Sequence, residues 1–192
     1  MNRNGLKRIS VNAPVIIAFV ACCLVAYILN LITGGRSNQA IFSVYPTSFL
    51  DPLQYVRCIC HIFGHASWEH LLSNMMYILI LGPMIEEKYG GKFVLVTFAA
   101  VAVGTAIINM LLFPHTGLLG TSGVVFAFII VASITGNHEG KIPLTLILVA
   151  VLFIGQQIIE GITVQDNISQ LTHIVGGVIG GILAMQANRF RS

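Results

Sequence analysis

The stretch GLLGTSGVVFAFIIV, residues 117–131, decides how this chain is read. A glycine, a threonine, a serine and a second glycine open a run of apolar residues that carries no charge. The run has the length and composition of a helix in lipid, and a hydroxyl stands at its mouth. From Ser122 to Gly136 there are 15 residues. That is about 22 Å of helix at about 1.5 Å per residue, short of the ~30 Å of a hydrocarbon core. The helix is therefore expected to start below the outer surface, with Ser122 at or near its first turn. Gly120 and Gly123 permit a tight turn and a close helix approach. The first N–H groups of a helix have no partner within it, and the helix dipole favours negative charge there. Alone, the tetrapeptide reads as an ordinary serine cap or a small residue at a helix contact.

Composition supports the membrane setting. Of 192 residues, 56% are hydrophobic and 9% charged, against about 25% charged in a soluble domain. Mean hydropathy is +0.87. The net charge of +3 says little by itself, and no nucleic-acid partner is expected. Of the four cysteines, Cys22 and Cys23 lie in an apolar run and Cys58 and Cys60 in a loop, which makes no disulfide framework. No secretory signal is expected, because the first apolar run is too long for one and lacks a cleavage site.

Apolar windows recur at Pro14–Ile32, Trp68–Ile85, Phe93–Phe113, Leu118–Thr135, Ile142–Ile159 and Ile168–Ala187. Each is close to the ~20 residues needed to span a bilayer as a helix, and single strands cannot span. The expected fold is an all-α bundle of six transmembrane helices, a single membrane domain over residues 1–192. Residues 1–13 would be a cytoplasmic N-terminus. Residues 33–66 would be a long interfacial loop, carrying Phe42, Tyr45, Phe49, Tyr55 and Phe63. If the spans alternate, Arg3, Lys7, Arg8, Lys88, Lys92, Lys141, Arg189 and Arg191 share one side, and Arg36 and Arg57 the other. The positive-inside rule then sets both termini in the cytoplasm.

With that direction, spans two, four and six begin on the outer side, and their polar residues lie near those starts. His70 and Asn74 are in span two, Ser122 in span four and His173 in span six. An ionisable residue inside a span is a functional candidate. A neutral imidazole at His173 can take a serine proton. Gly176, Gly177, Gly180 and Gly181 follow it on small-residue ridges that allow backbone-close packing, and span four with its Gly123 is a fitting neighbour. His70 and Asn74, four apart, share a helix face and can donate to an oxyanion. Glu160 and Asp166 read as solvated loop residues, so the pair would be a Ser–His dyad. His115 and His138 also read as solvated.

Together these residues resemble the rhomboid family of intramembrane serine proteases, in its six-helix bacterial form. Gly120-Thr121-Ser122-Gly123 is similar to the family's GxSG motif, which makes Ser122 the nucleophile. His173, followed by Gly176 and Gly180, is similar to the catalytic-histidine motif. The series His61, His65, His70, Asn74 is similar to the family's histidine-rich segment. The resemblance implies an oxyanion hole of His70, Asn74 and the backbone N–H groups of Thr121 and Ser122. Gly82, Glu86 and Gly90 are similar to its GxxxExxxG pattern, and Arg57 to an arginine that holds the first loop. Three positions depart from the pattern. Val56 stands where tryptophan is common, Phe126 where tyrosine stacks on the histidine, and Thr172 where alanine is usual. The resemblance implies transmembrane proteins as substrates, a lipid bilayer as setting and no cofactor. It also implies the bacterial cytoplasmic membrane and a site opening to the outer side. Oligomeric state stays open. The alternatives are a silent relative that binds membrane clients, and a metal or transport site built from Cys58, Cys60, His61, His65 and His70. The second fits no usual paired-ligand spacing, and the spans lack the carboxylates of a transport path.

Overall fold

The computed structural model describes residues 12–135 and 167–189, with eight further helical residues between 144 and 159. The expected cytoplasmic arm up to residue 11, His138, Lys141, Glu160, Asp166 and Arg191 lie outside the described residues, as does most of the window at 142–159.

Helix α1 (Pro14–Ile32) begins at proline, whose fixed φ suits the first helical position. Its cap residue, Ala13, has no side chain to offer. The open N–H groups of Val15 and Ile16 instead donate to the Glu86 carboxylate, at 3.0 Å each. A carboxylate also complements the positive end of the helix dipole. At the other end Gly34 and Gly35, at φ 60° and 90°, turn the chain out of the helix.

The long connection that follows holds a π-helical turn (Asn38–Phe42) and the short α2 (Pro52–Cys60). Asp51 caps α2 by accepting from Leu53 N at 3.0 Å. Arg57, buried at 6% exposure, donates from Nε to Ala40 O and from Nη1 to Asp51 Oδ2. Its guanidinium also lies over the Tyr45 ring. Those contacts hold the π-turn, the cap and α2 in one body. The Leu53 N–H, with Thr47 and Arg57, keeps the Asp51 carboxyl below its ordinary pKa. Phe49 and Leu50 at the tip are exposed.

Helix α3 (Trp68–Tyr89) is capped by Ser67, whose Oγ accepts from His70 N. It runs four residues past the apolar window, from Ile85 to Tyr89. Hydropathy stops at Glu86, but the backbone ladder continues because that carboxylate is buried against α1. Gly90, at φ 85°, makes the whole connection to α4 (Gly91–Leu112). Helices α5 (Ser122–Thr135) and α6 (Asn167–Arg189) complete the described bundle. Three described helical stretches, Pro14–Ile32, Gly91–Leu112 and Leu171–Asn188, are long and apolar enough to cross a membrane.

The core is built from α1, α3, α4 and α5. Phe19 and Phe98 stack at 4.1 Å between ring centroids, and Phe98 and Phe128 at 5.7 Å. Helix α5 is the centre of the bundle. It packs on α3, α4 and α6, and nine of its 14 residues are buried. Its start is enclosed, with Gly120, Thr121 and Gly123 buried and Ser122 half-buried. Helix α1, equally free of charge, buries four of its 19 residues.

Candidate active site

Ser122 is the first residue of α5 and half-buried. The turn before it is made by Gly120, at φ 122°. A Cβ there would lie 2.9 Å from Cε1 and 3.0 Å from Nε2 of His70. Only a glycine fits, and its bare backbone brings the His70 ring against the nucleophile turn. Thr121 O accepts the first helical bonds, from Val124 N and Val125 N. The N–H groups of Thr121, Ser122 and Gly123 are left with no carbonyl four residues back in a helix.

His173 comes to the same place on α6. The glycines that follow it lie against α5 backbone. A Cβ on Gly176 would fall onto the Gly123 carbonyl oxygen, and one on Gly180 would lie 2.7 Å from Ala127 O. A Cβ on Gly123 would touch Thr172 O at 3.4 Å. Thr172 and Gly123 are the chain neighbours of His173 and Ser122, so the backbones that carry the two candidates run close to one another. His173 is 7% exposed. Its ring lies 6.0 Å from the Phe126 ring, tilted by 37°, and Phe126 in turn fills the space that Gly177 leaves open.

Asn74 is fully buried. Its Nδ2 donates to His70 O at 2.8 Å, which leaves the second amide hydrogen for another acceptor. His65 joins the group from the loop. Its ring sits 5.1 Å from that of His70, edge-on, and its Nε2 is 3.3 Å from Thr121 Oγ1. Burial, with the nearby His70, pushes the His65 imidazole down to about 3. His61 Nε2 donates to Ala102 O at 3.0 Å, and burial pushes that imidazole down to about 4. A cavity of about 10 Å³ lies beside Ser122, between His61, Thr105, Gly120, Gly123 and Thr172. That is about the volume of one water molecule, in a lining more apolar than polar.

A Rhomboid domain model matches residues 52–189, more than half of the chain. The chain belongs to the rhomboid family. Rhomboid protease GlpG of Yersinia pseudotuberculosis serotype I (strain IP32953) is 30% identical over 182 residues, 92% of this chain and 63% of that protein. Rhomboid protease GlpG of Yersinia pestis (strain Pestoides F) matches to the same extent. The protein named Rhomboid-like protein 11, chloroplastic, of Arabidopsis thaliana is 23% identical over 144 residues, 68% of this chain and 51% of its own. This rhomboid thus spans somewhat under two thirds of the length of the GlpG relatives. Family and apolar helices together make it an integral membrane protein.

Sequence reasoning passed over several residues that this rhomboid uses to hold the site. Thr121 matters by its side chain as well as its backbone. Its hydroxyl donates to Ile62 O at 2.7 Å and lies 3.9 Å from Cys23 Sγ on α1. Asn109, near the end of α4, donates to carbonyls of two different loops. Nothing in the local pattern marks these residues, because their partners are 56 to 98 positions away or in irregular backbone. Of Cys58, Cys60, His61, His65 and His70, the rings of His65 and His70 lie close, but among the described residues no three metal-ligating side chains form a group. His115 is exposed.

Proposed function

We propose that this rhomboid is an intramembrane serine endopeptidase that cuts transmembrane segments of membrane proteins. The observation that supports it is the close approach of Gly176 on α6 to the Gly123 backbone on α5, which in this reading brings His173 within reach of Ser122 at a helix start whose first N–H groups have no partner within the helix. Ser122 Oγ attacks the substrate carbonyl carbon. His173 takes the Oγ proton. The oxyanion lies among the N–H groups of Thr121 and Ser122 and the side chains of His70 and Asn74, donors fixed before charge develops. His173 then passes its proton to the leaving amine, and the C–N bond breaks. Water, activated by the same imidazole, hydrolyses the acyl-enzyme, and the cavity beside Ser122 offers it a place. No cofactor enters.

In this reading the bundle has six spans, both termini face the cytoplasm, and the site opens to the outer side of the bacterial cytoplasmic membrane. Arg57 and Glu86 support the frame, and Gly120, Gly123, Phe126, Gly176 and Gly180 shape the site. Substrates weakened as helices near the outer end of a span are favoured, since a helical carbonyl is already bonded and shielded.

The test is fluorophosphonate labelling of purified protein beside cleavage of a model transmembrane substrate. Wild type is expected to label and cleave, and Ser122→Ala and His173→Ala to do neither. A folded wild type that does neither leaves the fold with a client-binding role instead.

A further inference from the structure

We propose that Asn109 is a positioning residue for the nucleophile. It ties the long first connection to the loop that ends in Ser122, and so sets where Ser122 Oγ and the neighbouring N–H groups stand. The proposal rests on the serine-protease reading above.

Three segments meet at this side chain. Asn109 sits in the last turn of α4 and is fully buried. Its Nδ2 donates to Val44 O at 3.2 Å and to Thr116 O at 3.1 Å. Two amide hydrogens facing two carbonyls fix the amide's orientation, because carbonyls only accept. Val44 and Leu118 close an isolated antiparallel bridge, with both N–H to O bonds at 2.9 Å. Val44 O therefore takes one bond from the Ser122 loop and one from α4. Thr116 lies in the exposed limb of that loop, and Leu118 is four residues before Ser122. Further along, Gly120 N donates to His61 O and Thr121 Oγ1 to Ile62 O. The loop is thus tied to the first connection at three successive points, and Asn109 secures the outermost.

The chemistry of the side chain argues for position over stability. Asn109 Oδ1 is buried with no hydrogen-bond partner among the described residues. A buried unmatched acceptor weakens a fold, which offsets part of what the two donors of the amide contribute. What the amide supplies and leucine cannot is the pair of donors that fixes the loop.

Asn109→Leu separates the two roles. The expected result is an unfolding midpoint within a few degrees of wild type and an unchanged KM for a transmembrane substrate. The fluorophosphonate labelling rate and kcat both fall by between about tenfold and about a hundredfold, the scale of an ångström-sized misplacement. Amide exchange at Val44 and Leu118 is expected to quicken. If Asn109→Leu does not fold, Leu118→Pro, which deletes one N–H of the bridge without touching α4, carries the same expectation. Wild-type labelling and kcat in a folded variant would overturn the positioning role, as would a loss of stability with the rate per folded molecule unchanged. An unlabelled, inactive wild type is a separate outcome, which sinks the protease reading itself.

Discussion

Two regions hold Ser122, and they work by opposite means. Behind it, α5 and α6 meet at Gly176 and Gly180, where an added Cβ would fall on α5 backbone. In front of it, the loop from Thr116 to Thr121 is held to the first connection by hydrogen bonds from Asn109, Leu118, Gly120 and Thr121. The helix contact is steric and leaves no room for a Cβ at Gly176 or Gly180. The loop contact is polar, can lose a bond without collapsing, and includes buried imidazoles. In the proposed reading, one sets the distance between nucleophile and base, and the other aims the oxyanion donors.

The sharpest way to break the first region is Gly176→Ala. The new methyl meets a carbonyl oxygen of the backbone, which cannot rotate away as a side chain can. Overpacking of this kind costs about 1–3 kcal/mol. The helices must also part beside Ser122 and His173, so under the proposed function labelling should fall by about a hundredfold or more. Labelling at the wild-type rate would mean that the contact does not set the pair.

Gly120→Ala attacks the loop at its tightest point. It places an L side chain at φ 122° and drives a methyl against the His70 ring, with strain of about 1–3 kcal/mol. Labelling is expected to drop by about tenfold or more, with a smaller change in thermal midpoint than Gly176→Ala gives. Equal thermal losses for the two would erase the contrast between the regions.

Thr121→Val keeps the shape of the loop and removes one donor. Ile62 O then lacks its 2.7 Å partner, at a cost of about 1–3 kcal/mol if no other donor reaches it. Denaturant unfolding should register that loss, and labelling should change less than with Gly120→Ala.

Acid gives the gentlest separation. The His61 and His65 imidazoles lie near 4 and 3 in the folded protein, against about 6.5 in an unfolded chain. Their contribution to stability is whole above pH 6.5 and is lost as pH falls from 6.5 toward about 4 and about 3, since the unfolded chain takes up the protons first. One pH unit below 6.5, the loss is on the order of 1 kcal/mol per histidine. Unfolding midpoints measured from pH 7.5 to 5 should fall in wild type and flatten in His61→Gln. A flat wild-type profile would show that these rings are reached by solvent.

Much of this frame was legible in the sequence. The limits of α1 are those of the apolar window, because Pro14 opens it and Gly34 and Gly35 close it. The start of α5 at Ser122 follows from Gly120-Thr121-Ser122-Gly123, where glycine and a capping residue interrupt an apolar run. Glu86 was marked by its pattern, but its task of capping α1 from α3 was not, since the residues it serves are 70 and 71 positions away. Asn109 was silent because a single amide at a helix end looks like any other until the loops that cross it are known.

Sequence alone determined that the chain is a bundle of apolar helices with a hydroxyl and an imidazole near the starts of two of them. These are consequences of hydropathy, chain punctuation and helix geometry, which act over a few residues. Tertiary structure decided that α5 is central and α1 peripheral, that Gly176 lies on Gly123, and that the Ser122 loop is secured from α4 and the first connection. Those choices depend on which helix faces which, and hydrogen bonds and backbone contacts between distant segments are settled only when the whole bundle has packed.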